Sequence, residues 1–157
     1  MYYAGIGSRT SPPDMCSLMT KLATALEVLG YKLRSGGADG ADKAFERGVK
    51  NAANKEILRP KDATPAAIQL ASEVHPAWHH CNDYARKLHG RNSQIILGRN
   101  LDVPVKFVIC WTPKGNEVGG TALGMRLATK QGIIVYNLAD EEHRNYLIKE
   151  FLNGNVS

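Results

Sequence analysis

Two glycine-rich turns are the segments of this chain whose chemistry is easiest to recognise. They are Arg34-Ser-Gly-Gly-Ala-Asp-Gly-Ala41 and Val118-Gly-Gly-Thr-Ala122, and each lies between a short apolar run and a stretch with helical periodicity. A glycine turn lets the backbone approach a phosphate closely, and the first N–H groups of the following helix then point at the negative charge. Two such turns in 157 residues predict a ligand that carries phosphates, such as a nucleotide or a nucleic-acid strand.

Strands and helices alternate around these turns. Apolar runs predict strands at 2–6, 31–34, 56–58, 105–111 and 133–137, and helical periodicity predicts helices at 13–29, 41–48, 81–97, 120–130 and 140–152. The pattern is weakest from 61 to 80, and Gly90 is a candidate break in its helix. Such alternation predicts a parallel sheet with right-handed crossovers. We therefore expect a single α/β domain over residues 1–157, a doubly wound, mostly parallel five-stranded Rossmann-like sheet in the order 3-2-1-4-5 with helices on both faces.

The expected topology also predicts where a ligand binds. In doubly wound sheets ligands lie beyond the carboxyl ends of the strands, at the point where the strand order reverses. Here that crevice falls between the strand that ends at Gly7 and the strand that ends at Trp111. Both glycine turns flank it, and Trp111 borders it, either stacked on the ligand or closing the core.

Composition restricts the class of protein and of partner. No apolar stretch approaches the ~18 residues of a membrane span, and the first residues are too few and too glycine-rich for a signal peptide. We therefore expect a cytoplasmic protein with no membrane partner. Cys16, Cys81 and Cys110 are odd in number and widely spaced, which is typical of reduced thiols. The net charge of +5 favours an anionic partner, and a nucleotide and a DNA strand fit it equally well.

Four segments in order resemble a known family. They are Gly7-Ser8-Arg9, Ser35-Gly-Gly-Ala-Asp-Gly40, Gly90-Arg91-Asn92 and Gly119-Gly120-Thr121. Their order and spacing are similar to those of the SLOG superfamily, in its branch of the DNA-processing protein A type, and the resemblance covers nearly the whole chain. It implies that a nucleotide or nucleic-acid phosphate binds at these segments. The candidate ligand-binding residues are Gly7, Ser8, Arg9, Ser35, Gly36, Gly37, Asp39, Gly40, Arg91, Asn92, Trp111, Gly119, Gly120 and Thr121.

The side chains in this set suit the implied ligand. Arg9 and Arg91 can hold phosphate oxygens bidentately or stack on a base. Asp39 can accept a hydrogen bond from a ribose hydroxyl, or it can cap the helix that follows Gly40. Asn92 is either a base contact or an amide used in helix capping and packing. The leading hypothesis is that the protein binds a nucleotide or nucleotide-derived ligand. The alternative is single-stranded DNA binding of the DNA-processing protein A type.

A third hypothesis is catalysis, as a nucleoside-phosphate N-glycosidase. The lonely-guy phosphoribohydrolases of the superfamily carry a glutamate three residues past the threonine of their glycine-threonine motif, and Gly124 stands at that position here. Glu117 and Asp39 are the remaining candidate carboxylates for such an activity, and a solvated loop glutamate is the preferred explanation of Glu117. We also expect a homodimer, because sheets of this kind often pair through their helices.

The segment His75-Pro-Ala-Trp-His79-His80-Cys81 contains the imidazole and thiol groups that zinc prefers. Pro76 disrupts the helix that would align His75 with His79, and no second ligand pair follows at zinc-site spacing. We therefore expect neither a metal nor a cofactor. Trp78 and His79 could instead stack on a base, with Trp78 packed on the sheet as the alternative.

Overall fold

The computed structural model describes residues 1–117 and 119–153, and it has the expected α/β architecture. The strands are β1 (Tyr2–Gly5), β2 (Lys32–Ser35), β3 (Lys55–Ile57), β4 (Phe107–Cys110) and β5 (Ile134–Asn137). The α-helices are α1 (Pro13–Val28), α2 (Ala41–Gly48), α3 (Pro65–Val74), α4 (Asp83–Leu97), α5 (Thr121–Lys130) and α6 (Glu141–Leu147), and a π-helical segment, Ile148–Asn153, continues α6. The sheet has the order β3-β2-β1-β4-β5 with every pair parallel, which confirms the predicted strand order.

Successive strand residues point to opposite sides of the sheet, so both faces carry apolar side chains. Helices cover both faces and bury these side chains. Tyr3, Leu33 and Phe107 face one layer, where they pack with α1, α2 and the chain end around Phe151. Ala4, Ile6, Val108 and Cys110 face the other layer and pack with α4 and α5. The central strands β1 and β4 are therefore buried on both sides, as expected for a parallel sheet, whereas the edge strands β3 and β5 are partly exposed.

The region that the sequence left uncertain forms α3 and two short 3-10 turns, at Pro60–Asp62 and Trp78–His80. Thr64 begins α3 by accepting a hydrogen bond from the Ala67 N–H at 3.1 Å, with Pro65 in the first turn. The predicted break at Gly90 is wrong, because α4 runs unbroken past it. A Cβ at Gly90 would lie 2.7 Å from Ile68 Cγ1, so this glycine lets α3 and α4 pack closely.

None of the helices within 1–117 and 119–153 is both long enough and apolar enough to cross a membrane.

Candidate functional site

A crevice of about 460 Å³ opens at the carboxyl edge of the sheet. The segment after β1 runs beside the segment after β4, since the Ile6 N–H donates to the Ile109 carbonyl at 3.1 Å and the Ser8 N–H donates to the Trp111 carbonyl at 3.0 Å. The strand order reverses between β1 and β4, so the crevice lies at the topological switch point. This is the place that the predicted topology indicates.

The crevice brings together half of the predicted ligand-binding residues: Gly7, Arg9, Arg91, Asn92, Gly119, Gly120 and Thr121 line it. Gly7 is needed because the backbone passes close to two neighbours there. A Cβ at this position would lie 2.7 Å from the Ala41 Cβ and 2.8 Å from the Trp111 carbonyl oxygen. The Arg9 side chain is exposed, and within the residues that the structure describes its guanidinium has no hydrogen bond or ion pair.

Arg91 and Asn92 lie in the middle of α4 and are held by the protein. Nη1 of Arg91 donates to the carbonyls of Gly36 at 3.1 Å and Leu58 at 3.0 Å, and its Nε donates to Oδ1 of Asn92 at 2.9 Å. The amide of Asn92 donates in turn to the Gly120 carbonyl at 3.0 Å. These bonds tie α4 to both glycine turns, so Arg91 presents a fixed positive charge to the crevice.

The second glycine turn leads into α5, which has no side-chain cap at its N terminus. Gly119 adopts a left-handed φ of 68°, a conformation that favours glycine. The first N–H groups of a helix have no partner within the helix, so they attract anions, and the helix dipole adds to that attraction. The start of α5 at Thr121 therefore directs the positive end of the helix dipole toward the crevice. Val118, which precedes the glycines, lies outside the described residues.

Asp42 is a crevice residue that sequence reasoning missed. It stands in the first turn of α2, is only 6% exposed and lines the crevice. Its Oδ2 accepts a hydrogen bond from the Ala38 N–H at 3.2 Å. Burial raises the pKa of Asp42 to about 6, although the Ala38 bond and the nearby Arg91 charge act to lower it. A carboxylate at the edge of the apolar face formed by Ala41, Ala44 and Phe45 was the available signal.

Asp42 changes what the first glycine turn can do. Its carboxylate takes the Ala38 N–H, and the Ala41 N–H donates to the Ser8 carbonyl at 3.3 Å. Two backbone donors of this turn are therefore already used inside the protein. Because Asp42 is an anion when ionised, it repels a phosphate at the start of α2. The two turns thus differ in charge: α2 begins with a carboxylate, whereas α5 has no acidic residue in its first turn. At α5 the Ala122 N–H donates to the Gly119 carbonyl at 3.3 Å.

Imidazole and apolar side chains form another part of the lining. His75 and His89 reach the crevice from the end of α3 and from α4, with ring centroids 4.5 Å apart, and Leu88 and Ile95 lie beside them. Burial lowers the pKa of His75, with a further contribution from the charge of Arg126. Burial also lowers the pKa of His89. Both rings are therefore neutral at pH 7, and they offer flat surfaces without a positive charge.

The remaining predicted residues lie outside the crevice lining. Ser35 is fully buried and donates to the Gly5 carbonyl at 2.5 Å, and the Ser8 hydroxyl bonds that of Thr10 at 2.8 Å. Gly36 passes under Arg91, and Gly37 passes under the Arg59 guanidinium. A Cβ on Gly40 would meet the Ser8 and Arg9 carbonyl oxygens. Trp111 packs on the core layer that contains α1 and α2.

Neither of the two predicted carboxylates lines the crevice. Asp39 is exposed and pairs with Lys43 at 2.9 Å, and the hydrogen bond from Lys43 lowers the pKa of Asp39. Glu117 pairs with Arg126 at 3.3 Å and borders a separate depression, next to Lys114 and His143. Asp42 is therefore the carboxylate that a ligand in the crevice would meet.

One group of side chains could hold a metal ion. The ligand atoms of His75, Cys81 and His89 all lie within 4.8 Å of one another. The sequence showed His75 and Cys81 in one segment, but His89 joins them only through the packing of α3 on α4.

Comparisons of the chain with protein-family models, with curated proteins and with solved structures give no match.

Proposed function

We propose that this protein binds a nucleotide or a nucleotide-derived molecule in the crevice. The phosphate would lie at the N terminus of α5, beside Arg9, and the sugar or base would lie toward Asp42. The observation behind this proposal is that one crevice contains both an uncapped helix N terminus and a buried carboxylate. An anion alone would use only the first of these groups. A nucleotide offers a phosphate for the helix and hydroxyl or amino donors for the carboxylate.

The shape and lining of the crevice support a compact ligand. Its volume of about 460 Å³ is within the usual range for small-molecule sites. His75, His89 and Leu88 offer flat and apolar surfaces on which a base can stack. The resemblance to the SLOG superfamily points to the same class of ligand.

Part of the positive charge outside the crevice is already neutralised by carboxylates. Lys43, Lys55 and Arg99 each pair with a carboxylate, at 2.9, 3.0 and 3.4 Å respectively. Paired cations contribute less to binding a phosphate backbone than free ones do. Single-stranded DNA binding remains the competing hypothesis, and salt separates the two. Each phosphate contact with a strand adds roughly 0.7 to the log–log slope of affinity against salt, so a strand would give a steep dependence.

Calorimetry with nucleoside monophosphates, the matching nucleosides and inorganic phosphate tests the proposal. We expect the monophosphates to bind more tightly than either part alone. Arg9→Ala should weaken binding by about 10- to 150-fold, the value of a charge-assisted hydrogen bond of ~1.5–3 kcal/mol. Its melting temperature should change little, because the side chain is exposed and lacks a protein partner within the described residues.

Arg47→Ala is the matched control, since Arg47 is also exposed but lies on α2 away from the crevice lining. It removes the same charge and should leave binding nearly unchanged. Equal losses in the two variants would indicate a general charge effect and would contradict a site at Arg9.

Asp42 also supports a second candidate function, N-glycosidic bond cleavage. A buried carboxylate with a pKa near 6 can act as an acid or a base near neutral pH. In such a reaction Asp42 would activate the water or stabilise the cationic sugar. Release of free base from a panel of nucleoside monophosphates, and its loss in Asp42→Asn, tests this function. Binding without release over hours at high protein concentration would leave the binding function alone.

A further inference from the structure

We propose that His75, Cys81 and His89 bind one Zn²⁺ ion at the wall of the crevice. The three side chains come from three places: the end of α3, the residue after the 3-10 turn Trp78–His80, and the middle of α4. Sγ of Cys81 lies 3.8 Å from Nε2 of His75, and all three ligand atoms lie within 4.8 Å of one another. With Zn–S and Zn–N bonds of about 2.3 and 2.0 Å, tetrahedral ligand atoms stand about 3.3–3.6 Å apart. Small side-chain movements would therefore close the site.

The donor set favours zinc over the harder cations. One thiolate with two imidazoles suits Zn²⁺, whereas Mg²⁺ and Ca²⁺ require oxygen ligands. Three protein ligands leave a fourth position for water or for an atom of a bound molecule, as in catalytic zinc sites. Since His75 and His89 also line the crevice, a ligand there would be close to the ion.

His89 gives the proposal independent support. Its Nδ1 is buried and has no hydrogen-bond partner among the described residues. A buried polar atom without a partner destabilises the fold, and coordination of a metal ion is one way to satisfy an imidazole nitrogen.

Two features weaken the site and bear on its affinity. Nδ1 of His75 accepts a hydrogen bond from the Ala77 N–H at 3.0 Å, which leaves the ring proton on Nε2. Coordination through Nε2 moves that proton to Nδ1, so the Ala77 bond is lost when the ion binds. The positive charge of Arg126 also acts on His75, although Glu117 pairs with Arg126 and offsets part of it. We therefore expect weaker binding than at a four-ligand structural site.

Titration of the chelator-treated full chain with Co²⁺ tests the proposal, because cobalt reports both the thiolate and the geometry. One equivalent should give a thiolate-to-cobalt charge-transfer band with the visible bands of tetrahedral cobalt, and Zn²⁺ should displace it. Cys81→Ser should remove the charge-transfer band. His89→Gln should weaken binding by at least about tenfold, since even the loss of an outer-shell partner costs 10- to 100-fold.

Two controls separate this site from incidental binding. Cys16→Ser removes another partly exposed thiol, and the double variant His79→Gln, His80→Gln removes neighbouring imidazoles that are not in the cluster. Both should keep the spectrum and the affinity. Circular dichroism shows whether each variant folds, and if Cys81→Ser does not, His89→Gln decides the result. The proposal would be overturned by an unchanged spectrum in Cys81→Ser or an unchanged affinity in His89→Gln. A loss of cobalt binding in either control would also overturn it, as would weak uptake of several ions without the charge-transfer band.

Discussion

Asp42→Asn should stabilise the free protein at neutral pH, although the wild-type side chain is buried and hydrogen-bonded. Burial raises the pKa of Asp42 in the folded chain from 3.8 to about 6. The difference is about 2.2 units at ~1.36 kcal/mol each, so the ionised carboxylate reduces the free energy of unfolding by about 3 kcal/mol. An asparagine has nearly the same shape, and its carbonyl can still accept the Ala38 N–H.

The sign of the pH dependence follows from proton binding. Between pH ~4 and ~6 the folded protein keeps a proton on Asp42 that the unfolded chain has lost, so stability falls as the pH rises through this interval. Below it the carboxyl is neutral in both states, and the cost is absent. Above it the cost is complete. The stability gain in Asp42→Asn should therefore grow from roughly 0.5 kcal/mol at pH 4 to as much as ~3 kcal/mol at pH 7.5.

Urea unfolding of both proteins between pH 4 and pH 7.5 measures this difference, and the other carboxylates contribute equally to both. At 2–4 °C per kcal/mol for a chain of this size, the full effect raises the melting temperature by about 6–12 °C at neutral pH. Asp39→Asn is the control, because Asp39 is exposed and Lys43 holds its pKa low rather than high. A gain that does not vary with pH, or a variant less stable than wild type at pH 7.5, would refute the reasoning.

Two further predictions concern the crevice floor and the thiols. Gly124 lines the crevice, and a Cβ there would lie 3.2 Å from the Ile6 Cδ1. Gly124→Leu should therefore fill the crevice and abolish nucleotide binding in calorimetry. Gly124→Ala is the control: it gains a similar helix propensity of up to ~1 kcal/mol and should retain measurable binding. Full affinity in the leucine variant would place the ligand elsewhere. Burial raises the pKa of Cys110 to about 12. A thiol reagent should therefore modify only the partly exposed Cys16 and Cys81 in the native protein and should reach Cys110 after denaturation. Three reactive thiols in the native protein would contradict the burial of Cys110.

The strand order could be predicted because local signals and topology agree. The strands β1 and β4 are short apolar runs, and glycine or proline follows each of β1 to β4 within three residues. Right-handed crossovers then leave few arrangements of five strands. The bounds of α3 were less predictable, since the 3-10 turns on either side of it are too short to show periodicity. Thr64 and Pro65 are a normal helix start, but the start alone did not reveal how far the helix runs.

The site was predictable where it depends on strand ends and was missed where it depends on side-chain direction. Gly7, Gly119 and Gly120 follow strands, and parallel strands bring their carboxyl ends to one edge. Asp39 was predicted from the sequence, and finding Asp42 required knowing which carboxylate faces inward. Asp39 stands in the turn and pairs with a lysine in solvent, whereas Asp42 lies next to Ala41 on the buried side of α2. The position of His89 required the packing of α3 on α4, which no local pattern contains.

The two glycine turns have similar sequences, yet the carboxylate at the start of α2 makes them different in chemistry. The turn before α2 uses the Ala38 N–H for Asp42, so adding a phosphate there would set two anions against each other. The turn before α5 has no side-chain cap, and no described carboxylate from its own helix lies in its first turn. A glycine-rich turn at a helix start therefore indicates an anion site only when no carboxylate of the same helix already stands there. By that criterion the phosphate of the proposed ligand belongs at α5, and the stability cost of Asp42 at α2 is consistent with selection for contact with the rest of the molecule.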